Sequence, residues 1–150
     1  MNQQRRSLLK YSAVFGLMAS AGLITAAQAA EWNKAAFEGK SLDAVFSALG
    51  AGSPDKSDAV TLVAPDIAEN GSVVPAGVST NLKAEKIAIL VEKNPTPLAG
   101  QFTIPAGTEG FVNTRIKMGQ TSNVYALVQA DGKWYMSSKE VKVTLGGCGG

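Results

Sequence analysis

Ser122-Asn123-Val124-Tyr125-Ala126-Leu127-Val128-Gln129-Ala130, followed by Asp131-Gly132 and then Lys133-Trp134-Tyr135-Met136, carries the strongest structural signal in this 150-residue chain. Two runs rich in Val, Tyr and Trp flank an Asp-Gly pair, and two-residue hairpin turns, which need positive φ at both central positions, favour that pair. The stretch therefore reads as a β-hairpin. Similar short apolar or alternating runs occur at Thr61-Leu62-Val63, Ser72-Val73-Val74, Val78 to Leu82, Ile87 to Val91 and Phe111 to Lys117, and again at Val141 to Leu145. Turn signals separate them, among them Asn94-Pro95 and Pro105-Ala106-Gly107. Seven or eight short strands at this spacing predict a mainly β fold, an immunoglobulin-like antiparallel β-sandwich. No Cys…Trp…Cys pattern is present, which excludes an antibody-type domain.

One or two short helices are expected before the strands. Ser41 is placed to cap a helix in which Leu42, Val45, Phe46 and Leu49 recur at helical spacing until Gly50 stops it. A shorter helix is expected around Glu31 to Phe37, and Ala51 to Ser57 reads as turn-forming.

Ahead of these lies a different kind of segment. Arg5-Arg6-Ser7-Leu8-Leu9-Lys10 is a twin-arginine signature, followed by a weakly apolar stretch and the small-residue pattern Ala27-Gln28-Ala29. Residues 1–29 are expected to be a removable export signal, leaving residues 30–145 as one sandwich domain with its helical segment and 146–150 as a flexible arm. The apolar stretch is too short and too rich in Ala, Gly and Ser for a convincing membrane span, and the expected location is the periplasm. The twin-arginine route carries folded proteins. With no cofactor site visible, assembly with a partner before export is the simpler reason for its use.

Removing Arg5, Arg6 and Lys10 leaves eleven basic residues against twelve acidic ones, so the formal +2 of the full chain becomes about −1. No basic run with interleaved aromatics remains for contacts to nucleic acid. The chain has no histidine, which excludes a Ser-His-Asp or Cys-His arrangement and removes the commonest metal ligand. The carboxylates, such as Asp43, Asp55, Asp58, Asp66 and Glu69, are scattered, and Met118 and Met136 read as packing. No catalytic residue, metal ligand or cofactor site is predicted.

What remains is a single thiol. Cys148 is the only cysteine, set in Gly146-Gly147-Cys148-Gly149-Gly150. Four glycines give it no side chains to bury it and an unrestricted backbone. If the last strand ends near Leu145, three extended residues carry the sulfur roughly 10 Å from the fold. Val141, Val143 and Leu145 alternate with Lys142 and Thr144, so the first three are expected to face the core and to give the arm a rigid base. An odd cysteine in an exported chain means an intermolecular disulfide or a reactive thiol. No Lys, Arg or His lies close to it in sequence, so the thiol is expected to be quiet until a partner site activates it. A structural sandwich using Cys148 for an interchain disulfide stays open as the alternative.

The twin-arginine signal, the length, the segment Pro65-Asp66-Ile67-Ala68-Glu69-Asn70-Gly71 and the terminal Lys142-Val143-Thr144-Leu145-Gly146-Gly147-Cys148-Gly149-Gly150 together resemble the SoxY family, the sulfur carriers of the bacterial thiosulfate-oxidising (Sox) system. The resemblance implies that Cys148 binds thiosulfate covalently as a cysteine S-thiosulfonate. It further implies that the flanking glycines let the arm enter active-site channels, and that the carrier forms a heterodimer with a cysteine-free sandwich subunit, SoxZ. A haem enzyme would make the conjugate, a hydrolase would release sulfate and a sulfane dehydrogenase would oxidise the sulfur left behind. Leu8-Leu9 stands where the export motif often has phenylalanine.

Overall fold

The structure, a computed structural model, describes residues 33–145. The export signal with Arg5 and Arg6, and the arm Gly146, Gly147, Cys148, Gly149 and Gly150, lie outside the described residues.

Two helices come first. Helix α1 (Lys34–Glu38) is capped by Asn33, whose Oδ1 accepts from the Ala36 N–H while its Nδ2 donates to the Ala48 carbonyl at 2.7 Å, tying α1 to its neighbour. Helix α2 (Leu42–Leu49) starts at Ser41, whose Oγ accepts from the Ala44 N–H, and ends at Gly50 in the left-handed region with φ 70°. Ser41, the apolar spacing and Gly50 had predicted these boundaries.

Nine strands follow among the described residues: β1 (Asp55–Lys56), β2 (Val60–Val63), β3 (Ile67–Ala68), β4 (Val74–Thr80), β5 (Ala84–Val91), β6 (Leu98–Thr103), β7 (Gly110–Ile116), β8 (Ser122–Ala130) and β9 (Lys133–Val143). They make a larger sheet in the order β1-β9-β8-β5-β6, with β3 also on β9, and a smaller one in the order β2-β4-β7. The predicted hairpin is β8-β9, with Asp131 at φ 50° and Gly132 at φ 73° in its turn. The fold is the mainly β sandwich that the strand spacing predicted, preceded by two short helices.

Several elements differ from expectation. Ser72–Val74 and Val78–Leu82 are not two strands, because β4 runs through Pro75, Ala76 and Gly77. Proline is accommodated there because β2 pairs only with Gly77 to Thr80, leaving one side of Pro75 without a ladder partner. Lys133–Met136 and Val141–Val143 likewise belong to one strand, β9, whose polar middle, Ser137 to Glu140, pairs residue by residue with β8; Thr144 and Leu145, expected to continue it, lie beyond its end. Strand β6 was not foreseen; Leu98-Ala-Gly-Gln-Phe-Thr has almost no β-branched residues, and it forms at the edge of the sheet against β5. Two strands also depart from the antiparallel rule. Asp55–Lys56, inside the stretch read as turn, and Ile67–Ala68 both pair with β9 in parallel.

The core lies between the sheets, built from residues such as Val74, Val78, Ile87, Ile89, Val124, Val128, Met118 and Val141. A second apolar layer occupies the other face of the larger sheet, where Ala88, Leu90, Leu127 and Trp134 meet Ala36 and Val45 of the helices. Double burial explains why Ile87-Ala88-Ile89-Leu90-Val91 is continuously apolar instead of alternating.

Candidate functional site

The described part of the candidate site is the root from which the cysteine segment departs. Val141 is fully buried and Val143 packs against the core, as the alternation predicted. Leu145 does not follow them. Strand β9 ends at Val143, and Leu145 is 70% exposed because the chain leaves the sandwich there and has no facing layer to pack on.

A segment far away in sequence holds this root. Residues 64–71 run alongside the end of β9, and the Lys142 N–H donates to the Asp66 carbonyl at 3.0 Å and the Thr144 N–H to the Ala68 carbonyl at 3.1 Å. The Thr144 hydroxyl donates to the Glu69 carbonyl at 3.0 Å. The Gly71 N–H then donates to the Leu145 carbonyl at 2.8 Å, and the Gly71 carbonyl accepts from the Met118 N–H at 2.7 Å. Met118 is fully buried in the core, so the Leu145 carbonyl is linked through Gly71 by two hydrogen bonds to a core residue. On its other side the Val143 N–H donates to the Thr121 hydroxyl at 2.9 Å.

One ion pair fastens the start of this strap. Lys139 Nζ lies 2.9 Å from Asp66 Oδ1 and also donates to the Ala64 carbonyl at 2.7 Å. The hydrogen bond and charge of Lys139 hold the Asp66 carboxyl below the usual carboxylate range. Further along, the Asn70 side chain accepts from the Ser72 N–H at 2.8 Å and closes a turn after the strap. Sequence reading had singled out Pro65 to Gly71 without a role for it; Thr121 and Lys139 were missed, since neither contact is local in sequence.

The root therefore offers a fixed origin for a cysteine three residues on, with a reach of roughly 10 Å. It assembles no catalytic group. Among the described residues no cluster of three or more metal-ligating side chains forms, and Asp43 on α2, Asp55 on β1 and Asp58 in the turn after β1 lie apart from the root. A cleft of about 1070 Å³ opens at the opposite end, lined by Leu82, Lys83, Ile104, Phe111 and Asp131 among others. Eleven residues of β9 separate the Asp131 turn from Val143. At about 3.3 Å each that is over 30 Å, beyond the reach of this chain's own thiol.

Comparison with known proteins resolves the family. The sequence model of the family described as sulfur oxidation protein SoxY matches residues 46–148. The chain belongs to the SoxY family. The solved structure of the sulfur carrier protein SoxY from Chlorobium limicola f thiosulfatophilum is similar, with 37% sequence identity and a TM-score of 0.59 over 69% of this chain and 94% of that one. A superoxide reductase (neelaredoxin) from Ignicoccus hospitalis shares the fold, with a TM-score of 0.51 and 18% identity over 56% of this chain and 79% of that one. A comparison with curated protein sequences found no match. The SoxY match extends to residue 148 and so includes both the strap and the cysteine. Among the described residues no helix is long and apolar enough to cross a membrane.

Proposed function

We propose that this SoxY-family protein is a periplasmic sulfur carrier that binds thiosulfate-derived intermediates covalently on Cys148 and presents them to separate enzymes. The observation that carries the reading is the pinned root. Six hydrogen bonds around Lys142 to Leu145 and Gly71 fix the backbone within three residues of the only thiol in the chain. A cysteine used only for a disulfide needs no such origin, whereas delivery to a distant site gains from one, because the ordering cost falls on a few residues alone.

In the loading step the thiol of Cys148 and the sulfane sulfur of thiosulfate join in an S–S bond. The thiol proton is released and two electrons leave to the haem enzyme that makes the conjugate. Hydrolysis of the S–SO₃ bond by a second enzyme then releases sulfate and leaves a persulfide on Cys148. A sulfane dehydrogenase takes electrons from that sulfur while water supplies the oxygens and protons are released, leaving an S-sulfonate on Cys148, and a further hydrolysis releases it as sulfate and restores the thiol. Throughout, the carrier is not itself an enzyme. Gly146, Gly147, Gly149 and Gly150 supply a narrow backbone suited to channels, residues 1–29 direct export through Arg5 and Arg6, and a SoxZ-like sandwich subunit completes a heterodimer.

Intact mass of the mature protein from cells grown on thiosulfate tests this, before and after reduction, with Cys148→Ser as control. Reductant-labile sulfur or thiosulfate adducts confined to Cys148 are expected. A free thiol alone, or a permanent homodimer, would favour an exported structural module instead.

A further inference from the structure

Asn70-Gly71 is the only Asn-Gly pair in the chain, and it ends the strap beside β9. The backbone nitrogen that follows an asparagine can attack the side-chain amide carbon and close a cyclic imide. Glycine at that position leaves the approach clear, because it has no Cβ. Asn70 is exposed, and its Oδ1 accepts from the Ser72 N–H at 2.8 Å. That donor polarises the side-chain carbonyl and is already in place for the charge that develops on Oδ1 during attack. Among the described residues nothing binds Asn70 Nδ2, so the leaving nitrogen faces water.

The nucleophile alone is withheld. The Gly71 N–H donates to the Leu145 carbonyl at 2.8 Å, and Gly71 is buried although Asn70 before it is exposed. A proton held in that bond is shielded from hydroxide, and the Met118 N–H fixes the carbonyl of the same glycine at 2.7 Å. We propose that Asn70 is a deamidation site gated by the hydrogen bond between Gly71 and Leu145, so that the strap turns irreversibly into an acidic form once that bond opens. The inference stands apart from the carrier reading of Cys148.

In the open state hydroxide removes the Gly71 amide proton and the nitrogen bonds to Asn70 Cγ. The Cγ–Nδ2 bond then breaks, and Nδ2 takes a proton from water and leaves as ammonia. Water opens the imide at either of its two C–N bonds. One opening leaves aspartate; the other leaves isoaspartate, in which the main chain runs through the former side-chain carbon. Water and hydroxide are the only co-reactants. Either product places a carboxylate next to exposed Glu69, and like charges in neighbouring positions repel. Isoaspartate also lengthens the chain between Glu69 and Gly71, whose contacts with Thr144 and Leu145 then no longer fall in register. The conversion therefore opposes reclosure of the strap.

The test incubates the complete mature protein in mildly alkaline buffer. Peptide mass mapping follows Asn70, enzymatic methylation identifies isoaspartate, and hydrogen exchange follows the Gly71 amide under the same conditions. Wild type is compared with Thr144→Val and Thr121→Ala, each of which removes one hydrogen bond from the root without altering Asn70 or Gly71. Each should speed Gly71 exchange by up to about fivefold, and conversion at Asn70 should rise by the same factor. Wild type in a urea series varies the opening even if neither variant does, and conversion should be fastest in the unfolded chain. Asn70→Ser keeps an acceptor for the Ser72 N–H and should show no conversion. Absence of conversion at Asn70 even in the unfolded chain overturns the site. Conversion in the folded protein as fast as in the unfolded chain, or a rate that does not move with Gly71 exchange, overturns the gate.

Discussion

Lys139 illustrates how a single side chain can fasten two remote segments. Its ammonium satisfies both Asp66 Oδ1 and the Ala64 carbonyl, and so closes the strap onto β9. The Asp66 pKa is lowered on folding, first by the hydrogen bond from Lys139 and then by its charge. A depressed carboxyl pKa contributes stability above the unfolded value, near 3.9, and loses it as pH falls through the folded value. Asp66 is fully exposed, so the effect is local. Amide exchange at Lys142 and Thr144, corrected for intrinsic pH dependence, should be faster in Asp66→Asn than in wild type above about pH 4, and the difference should fade only as pH falls further, through the lowered folded value. Equal protection at neutral pH would show that the ion pair does not hold the strap. Thr121 acts on the other side, and Thr121→Ala should cost about 1 kcal/mol in denaturant unfolding, because the half-buried Val143 N–H loses its acceptor.

At the level of elements, the helices and the hairpin were legible because their signals are local. Ser41, Gly50 and Asp131-Gly132 impose caps and a turn whatever the rest of the chain does. Strands β4 and β9 were misread as pairs of shorter strands for the opposite reason. Pro75 and the polar Ser137 to Glu140 look like interruptions until one knows which side of each strand lacks a partner or faces water. Trp134 marks another feature invisible locally, a hairpin residue that packs against the helices' layer and not into the sandwich. Trp134→Ala should cost about 3–5 kcal/mol in equilibrium unfolding by removing most of that seat. The arm is the contrasting element. Replacing Gly147 and Gly149 by valine should leave the unfolding midpoint unchanged while turnover with the partner enzymes falls; a fall in stability of similar size would tie these glycines to folding instead.

For the whole molecule, the carrier reading separates the two ends of the sandwich. The root lies at one end, and the cleft near Asp131 lies over 30 Å away along β9, outside the reach of Cys148. Export bears on the molecule as a unit. If the chain is assembled with its partner before crossing the membrane, Arg5→Lys with Arg6→Lys should retain both proteins in the cytoplasm. Cell fractionation that still finds the partner in the periplasm would show that it travels by itself.

Sequence by itself determined the mainly β class, the two helix caps, the hairpin turn and the identity of the one thiol, because each depends on neighbouring residues or on composition. The resemblance that pointed to the SoxY family also lay in contiguous motifs. Tertiary structure alone decided that Ile67-Ala68 becomes a parallel strand on β9, that Met118 anchors Gly71, and that Leu145 turns outward while Val141 and Val143 stay inside. Each of those outcomes depends on pairings between residues about 50 to 75 positions apart, or on where the facing sheet ends, and no local pattern encodes either.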